Sequence, residues 1–335
     1  VKVDGSLQFD GSDLAATARQ AEELGFAGVW TAEASHDPFV TLAAAAGATE
    51  HLELATGIAV AFARNPMNLA ILANDLQLLS RGRFLLGLGS QIKPHITKRY
   101  SMPWSHPAPR MRELVLAVRA IWESWATGGR LAFRGEFYTH TLMTPFFDPG
   151  PNPYGRPPIL LAAVGGHMAE VAGEVADGLL AHPFTTPRYL REVSLPALER
   201  GAATAGRTRA DLTVSLAGLI VTGETDEELE RATKAVKGQI AFYGSTPAYR
   251  PVLDLHGWGD LQPELNALSK RGDWTTMGGL IDDELLDALA VVAPPGQVGA
   301  RVEERFGNLV DRFGFYTPYT VGPDRCRELL AGFTS

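Results

Sequence analysis

The chain has 335 residues and a mass of 36.0 kDa, long for one average domain but within the range of a single α/β barrel. Its net charge of −8, its pI near 5.5 and the lack of a basic stripe exclude a nucleic-acid surface, and its apolar stretches are too short or interrupted to span a bilayer. A single cysteine, Cys326, excludes an intramolecular disulfide and any Cys-based metal cluster, so a reducing cytoplasm is the expected compartment.

Taken in order, the chain alternates strands with helices. "VKVDGSLQF" reads as the first strand. "DLAATARQAEELG", from Asp13, repeats apolar residues at helical spacing and closes on Gly25, and "AGVWTAE" follows as a short buried strand. "LELATGIAV" is strand-like. "NPMNLAILANDLQLLSRG" places Pro66 in a helix's first turn and Gly82 just past its end. "RFLLGLG" is the fourth strand, and "APRMRELVLAVRAIWESWATGG" is a helix on which Trp122 and Trp125 read as packing residues. "PPILLAAVGG", "HMAEVAGEVADG" and "LLAHPF" give strand, helix, strand. "DLTVSLAGLIVTG" and "DRFGFYTP" supply the last two strands, with the solvated helix "TDEELERATK" between them.

Eight such units with Val-, Leu-, Ile- and Ala-rich strands predict a parallel sheet closed as a (β/α)₈ TIM barrel; an open doubly wound sheet is the alternative. Two insertions interrupt the cadence, at about 130–157 and about 244–283. Neither looks like a linker, so the whole span 1–335 reads as one domain with inserted segments that shape a site.

In a barrel the chemistry sits at the C-terminal ends of the strands. Strand 2 ends in Thr31, Glu33, Ser35, His36 and Asp37, strand 3 in Thr56, Gly57 and Ile58, and strand 4 in Gly89, Ser90 and Gln91 with Lys93 and His95 behind. Strand 5 ends in Val164, Gly165 and Gly166, strand 6 in His182, and strand 8 in Tyr316 and Thr317. The Gly165–Gly166 pair opens a helix, which makes it either a phosphate seat at the helix N-terminus or a plain tight turn. Gly57 inside a strand signals close approach of backbone to a ligand, or a bulge. His36–Asp37 is either an acid/base pair or an exposed histidine beside a helix cap, and Glu33 is either a site carboxylate or the partner of a buried arginine. Trp104, in the loop after strand 4, is placed to wall a ligand. The histidines show no metal-ligand spacing, and no P-loop, nucleophile-elbow or Rossmann motif is present.

"AEELGFAGVWTAE", "GIAVAFARNPMNLAILANDLQLLSRGRFLLGLGSQ", "MRELVLAVRAIW" and "GGHMAEVAGEVADGLL", in that order, resemble the luciferase-like monooxygenase superfamily, and within it the branch that uses the deazaflavin coenzyme F420. The resemblance spans nearly the whole chain. It implies a metal-free TIM barrel, commonly a homodimer, acting on a small molecule. It also implies a cis peptide at Gly57-Ile58 behind the cofactor ring, and a phosphate loop made of Gly165 and Gly166 with the N–H groups of His167 and Met168. Thr56, Val164, Ser90, Gln91 and Lys93 complete the implied cofactor site. Where users of flavin mononucleotide (FMN) commonly carry an arginine, this chain has Ser90. That favours the singly charged phosphodiester of F420, with Lys93, Lys98 or Arg99 left to meet its anionic tail.

Many relatives place a histidine directly after the strand-2 acid, whereas this chain has Glu33-Ala34. Proton handling is therefore assigned to His36 or, second, to Glu33, and the substrate pocket to Trp104, His182 and the two insertions. The resulting expectation is an F420-dependent hydride-transfer enzyme. The alternatives are an FMN monooxygenase that uses O₂, or a non-catalytic flavin- or deazaflavin-binding protein.

Overall fold

Eight parallel strands close on themselves in a computed structural model that describes residues 1–333; residues 334 and 335 of the expected span lie outside the described residues. They are β1 (Lys2–Ser6), β2 (Gly28–Thr31), β3 (Glu53–Thr56), β4 (Phe84–Gly89), β5 (Ile159–Ala163), β6 (Gly178–Ala181), β7 (Thr213–Val221) and β8 (Arg312–Tyr316). Each pairs with the next, and β8 returns to β1 through Lys2↔Arg312 and Asp4↔Gly314. The structure is thus the TIM barrel expected from the alternating pattern.

Helices α1 (Leu14–Leu24), α2 (Pro38–Ala46), α3 (Pro66–Leu79), α4 (Pro107–Thr127), α5 (Gly166–Val175), α6 (Leu195–Thr204) and α7 (Asp226–Gly244) cover the sheet. Their ends follow the local chemistry. Asp13 and Asn65 accept backbone N–H groups at the starts of α1 and α3, and Gly25 leaves α1 with φ of 92°. Trp122 and Trp125 of α4 are buried, and the Trp122 indole donates to the Ala70 carbonyl at 3.0 Å.

The register fixes which side chains point into the barrel, because residues paired across parallel strands share a face and that face alternates along each strand. Asp4, Gly28, Glu53 and Arg312 share the inner face near the floor, and Trp30, Gly87, Leu180 and Gly314 share it higher up. Continuing the count places Gly89, Val164, His182 and Tyr316 at the mouth. Glycine and alanine recur on that face beside Trp30 and Leu180.

The first insertion holds the expected strand pair, Phe133–Arg134 with Thr139–His140, and then loops back to α3, where Asn152 donates to Asn74 Oδ1 at 2.9 Å. The second is helical: Arg250–Leu255, Leu261–Arg271 and Trp274–Gly279 pack with α7 around a second apolar cluster that includes Val236, Ile240 and Leu265. A three-residue strand, Ala290–Val292, pairs with the end of β7 and was not expected. It directly follows the helix Asp283–Leu289 and is too short to show a period of its own.

Candidate active site at the barrel mouth

Three glycines shape one half of the mouth. A Cβ on Gly87 would fall 1.9 Å from the Thr56 carbonyl oxygen, so only glycine lets β3 and β4 approach this closely. Thr56 completes that contact: its Oγ1 donates to the Gly87 carbonyl at 2.7 Å and accepts the Gly87 N–H at 2.9 Å. The expectation that Thr56 holds cofactor is corrected accordingly, since its side chain staples two strands and is fully buried. Beyond it the Gly57-Ile58 peptide is cis, and β3 resumes as Ala59–Val60 against Leu88 and Gly89. A Cβ on Gly89 would meet Ile58 Cδ1 at 2.8 Å, which seats the Ile58 side chain across the mouth.

The backbone at Gly57 rests on Trp30, whose Cε3 lies 3.0 Å from where a Gly57 Cβ would sit. Trp30 is held in turn by its indole N–H, which donates to Asp4 Oδ2 at 2.8 Å. Asp4 takes both Nε (2.8 Å) and Nη2 (2.5 Å) of Arg312, which also reaches Glu53. A buried charge pair thus fixes the tryptophan on which the strand-3 bulge sits.

The end of strand 2 resolves two open readings. Glu33 accepts the Val60 N–H at 2.7 Å, the Arg64 guanidinium at 2.5 Å and the Tyr100 hydroxyl at 2.9 Å. With both oxygens engaged it ties three segments together, and the ion-pair reading replaces that of a proton-transfer carboxylate. Asp37 caps α2 through the Phe39 N–H and pairs with Arg64 at 2.7 Å, so it does not form a dyad with His36. His36 is exposed and packs edge-on to Phe9, with ring centroids 4.7 Å apart. Arg99 donates to the Ala34 carbonyl and lies over the Tyr100 ring, which binds the strand-4 loop to the strand-2 loop.

Strands 4 and 5 supply the polar rim. Ser90 donates to the Gln91 carbonyl at 3.2 Å. Gln91, at φ 58°, turns its own amide oxygen back to the Ile92 N–H at 3.0 Å, and Lys93 and Lys98 are exposed beyond it. At the end of β5, Gly165 is the N-cap of α5 and no side chain caps the helix. The N–H groups of Gly166, His167 and Met168 therefore remain available as donors, backed by the positive end of the dipole. A Cβ on Gly165 would meet nothing within 4 Å, so the cradle in front of these donors is open. That arrangement fits an anionic linker on a flat cofactor. Val164 packs instead against the second apolar cluster, and Met168 against the main one.

The other half of the mouth is aromatic. His182 contacts Tyr243 and Tyr249 at centroid distances of 4.7 and 4.4 Å, and its Nδ1 accepts the Phe184 N–H at 3.0 Å. Burial among these rings pushes its pKa from 6.5 down to about 3. The unfolded chain therefore takes up the proton first. Stability is fully present above about pH 6.5 and falls by about 1.4 kcal/mol per pH unit as the pH drops towards the folded value. Urea unfolding at a series of pH values checks this, and His182→Gln is expected to flatten the slope. Trp104 packs edge-on to Phe62 at 5.7 Å and is half-buried, so it braces the segment after strand 3.

Arg64, Tyr100, Tyr243 and Tyr249 are the site residues not anticipated from sequence. The first two lie in loops and meet Glu33 only through the fold; the tyrosines come from α7 and the second insertion. Among the described residues no helix is long and apolar enough to cross a membrane, and no group of three or more His, Cys, Asp or Glu is arranged to hold a metal ion.

A closed parallel barrel with glycines at its mouth and an uncapped helix start beside them defines a TIM-barrel protein. The family model for luciferase-like monooxygenases matches residues 3–312, and the chain belongs to that family. An uncharacterized protein of Mycobacterium tuberculosis is 57% identical over 312 residues, covering 93% of this chain and 92% of its own. A 5,10-methylenetetrahydromethanopterin reductase of Archaeoglobus fulgidus is 27% identical, covering 92% and 90%. Two solved structures share the fold. The coenzyme F420-dependent tetrahydromethanopterin reductase of Methanopyrus kandleri has a TM-score of 0.81 at 22% identity, over 99% of this chain and 97% of that one. The oxygenating component of 3,6-diketocamphane monooxygenase from Pseudomonas putida, in complex with FMN, has a TM-score of 0.67 at 19% identity, over 98% and 96%. At the level the family defines, the protein is a flavin- or deazaflavin-dependent oxidoreductase.

Proposed function

We propose that the protein is a coenzyme F420-dependent oxidoreductase that passes a hydride between the deazaflavin C5 and a small organic substrate. The observation that carries this reading is the seat at the start of α5. It offers backbone N–H groups and a helix dipole, and its first turn, Gly166 to Ala169, contains neither Lys nor Arg. Such a seat suits a singly charged phosphodiester. A phosphomonoester, with nearly twice the charge, gains more from a guanidinium or ammonium partner. Neutral Ser90 at the end of strand 4 supports the same choice.

When bound, the deazaflavin supplies the hydride chemistry; this chain supplies position. Gly57 and Ile58 back the ring, Gly165 to Met168 hold the linker, and Lys93 and Lys98 meet the anionic tail. His36, exposed at the end of strand 2, is assigned the exchange of a proton with solvent. The homodimer is proposed on family grounds, and light scattering tests it against the 36.0 kDa chain.

Fluorescence titration with F420 and with FMN tests the cofactor. Submicromolar binding of F420, tighter than FMN by roughly tenfold or more, is expected. The reverse order would favour the FMN reading, in which the protein purifies yellow and forms a peroxyflavin with O₂. Gly89→Ala is expected to push Ile58 further over the ring and weaken F420 binding by roughly tenfold, with a small loss of stability. The same titration, run beside a thermal melt, checks it.

A further inference from the structure

We propose that His182 and the Tyr243–Tyr316 hydroxyl pair form an uncharged hydrogen-bonding seat that selects a substrate by a neutral oxygen, a carbonyl or an alcohol, and rejects anions. The proposal deepens the oxidoreductase reading and rests on it for the role of the mouth, though not for the chemistry of the seat.

The register puts these groups together. Leu180 faces the barrel interior, because its Cδ1 lies 2.8 Å from where a Gly87 Cβ would sit. His182, two residues on, faces the same way one layer higher. Tyr316 stands two residues beyond Gly314 on the inner face of β8, and its hydroxyl is 3.0 Å from that of Tyr243. Tyr243 bridges the two, with its ring also edge-on to His182 at 4.7 Å.

The chemistry follows from what each group has left to give. The His182 Nδ1 accepts the Phe184 N–H, so the proton of the neutral ring sits on Nε2, and no protein acceptor for that N–H is found among the described residues. In the tyrosine pair one hydroxyl donates to the other, which leaves the second O–H proton to point elsewhere. Burial pushes the pKa of both tyrosine hydroxyls above the usual value and keeps the imidazole neutral. The seat therefore offers two donors without a charge. The rings around it are Tyr249 and Phe184, the Gln239 amide reaches the Tyr243 hydroxyl, and among the described residues no Asp, Glu, Lys or Arg is found acting on His182, Tyr243 or Tyr316.

Such a seat accepts a carbonyl or hydroxyl oxygen at little cost. A carboxylate or phosphate would lose its hydration and find no counter-charge. A substrate lacking the oxygen would leave the buried donors unpaired, which is the stronger form of discrimination.

Side-chain ¹⁵N NMR of the labelled protein, with cyclohexanone and cyclohexanecarboxylate as matched probes, tests this. His182 is expected as the Nε2–H tautomer at pH 7, with its Nε2 signal moved by the ketone and not by the carboxylate. Tyr316→Phe, which removes one oxygen and little volume, is expected to weaken ketone binding roughly tenfold. An Nδ1–H tautomer, an equal response to the carboxylate, or unchanged ketone affinity in Tyr316→Phe would overturn the proposal. Titration of the unmodified protein with F420 keeps the two readings apart. Ketone binding at His182 without F420 binding overturns the cofactor and leaves the seat; F420 binding without the ketone response does the opposite.

Discussion

Replacing Gly165 with Asp is expected to abolish cofactor binding while leaving the fold at least as stable as before. Gly165 occupies the N-cap position of α5 in extended backbone, φ −82° and ψ 153°, where an Asp fits without strain, and its Cβ would meet nothing within 4 Å. Asp is a better cap than Gly by a few tenths of a kcal/mol, because its carboxylate accepts the free N–H groups of the first turn. Those are the donors proposed to hold the linker of the cofactor. The new side chain would occupy them and add a negative charge beside the phosphate. A loss of affinity of roughly a hundredfold or more, about 2.7 kcal/mol, is therefore expected together with an unchanged or slightly raised Tm. Fluorescence titration and a thermal melt on the same sample check both halves. A variant that binds as the unmodified protein does would remove the helix start from the site.

Arg312→Ala is expected to produce the largest loss of stability. Asp4 is fully buried and Arg312 nearly so, and they meet through two hydrogen bonds at 2.8 and 2.5 Å. Removing the guanidinium leaves the Asp4 carboxylate buried with, among the described residues, only the Trp30 indole as a donor. Breaking one side of such a pair costs about 3–5 kcal/mol, a large share of a typical domain's stability. Removing both charges in Asp4→Leu/Arg312→Met should cost much less, since no unpaired charge remains. Urea unfolding of the two variants against the parent measures the difference. A similar cost for both would mean that volume rather than charge holds the barrel floor.

The barrel was legible because its strands carry buried runs of Val, Leu, Ile and Ala and its helices carry their own punctuation. Pro66 and Gly82 bracket α3, and Gly25 closes α1, each for a reason of backbone geometry that needs no tertiary context. The glycine-rich strand ends were legible for the same reason. What stayed hidden were meetings between distant segments. Glu33 and Asp37 had open alternatives in the sequence, and only the approach of Arg64 and Tyr100 settled them. Thr56 looked like a ligand contact at a strand end, yet the close approach allowed by Gly87 turned it into a staple. His182 was expected in the pocket, but its neutral state depends on tyrosines from α7 and an insertion whose helices showed no clear pattern.

A crystal structure of the protein soaked with F420 decides where the cofactor lies. The deazaflavin ring is expected against Gly57 and Ile58 at the barrel mouth, with its phosphodiester oxygens within hydrogen-bond distance of the Gly166, His167 and Met168 N–H groups. A ring bound away from that bulge, or a phosphate held by side chains with the start of α5 left bare, would contradict it.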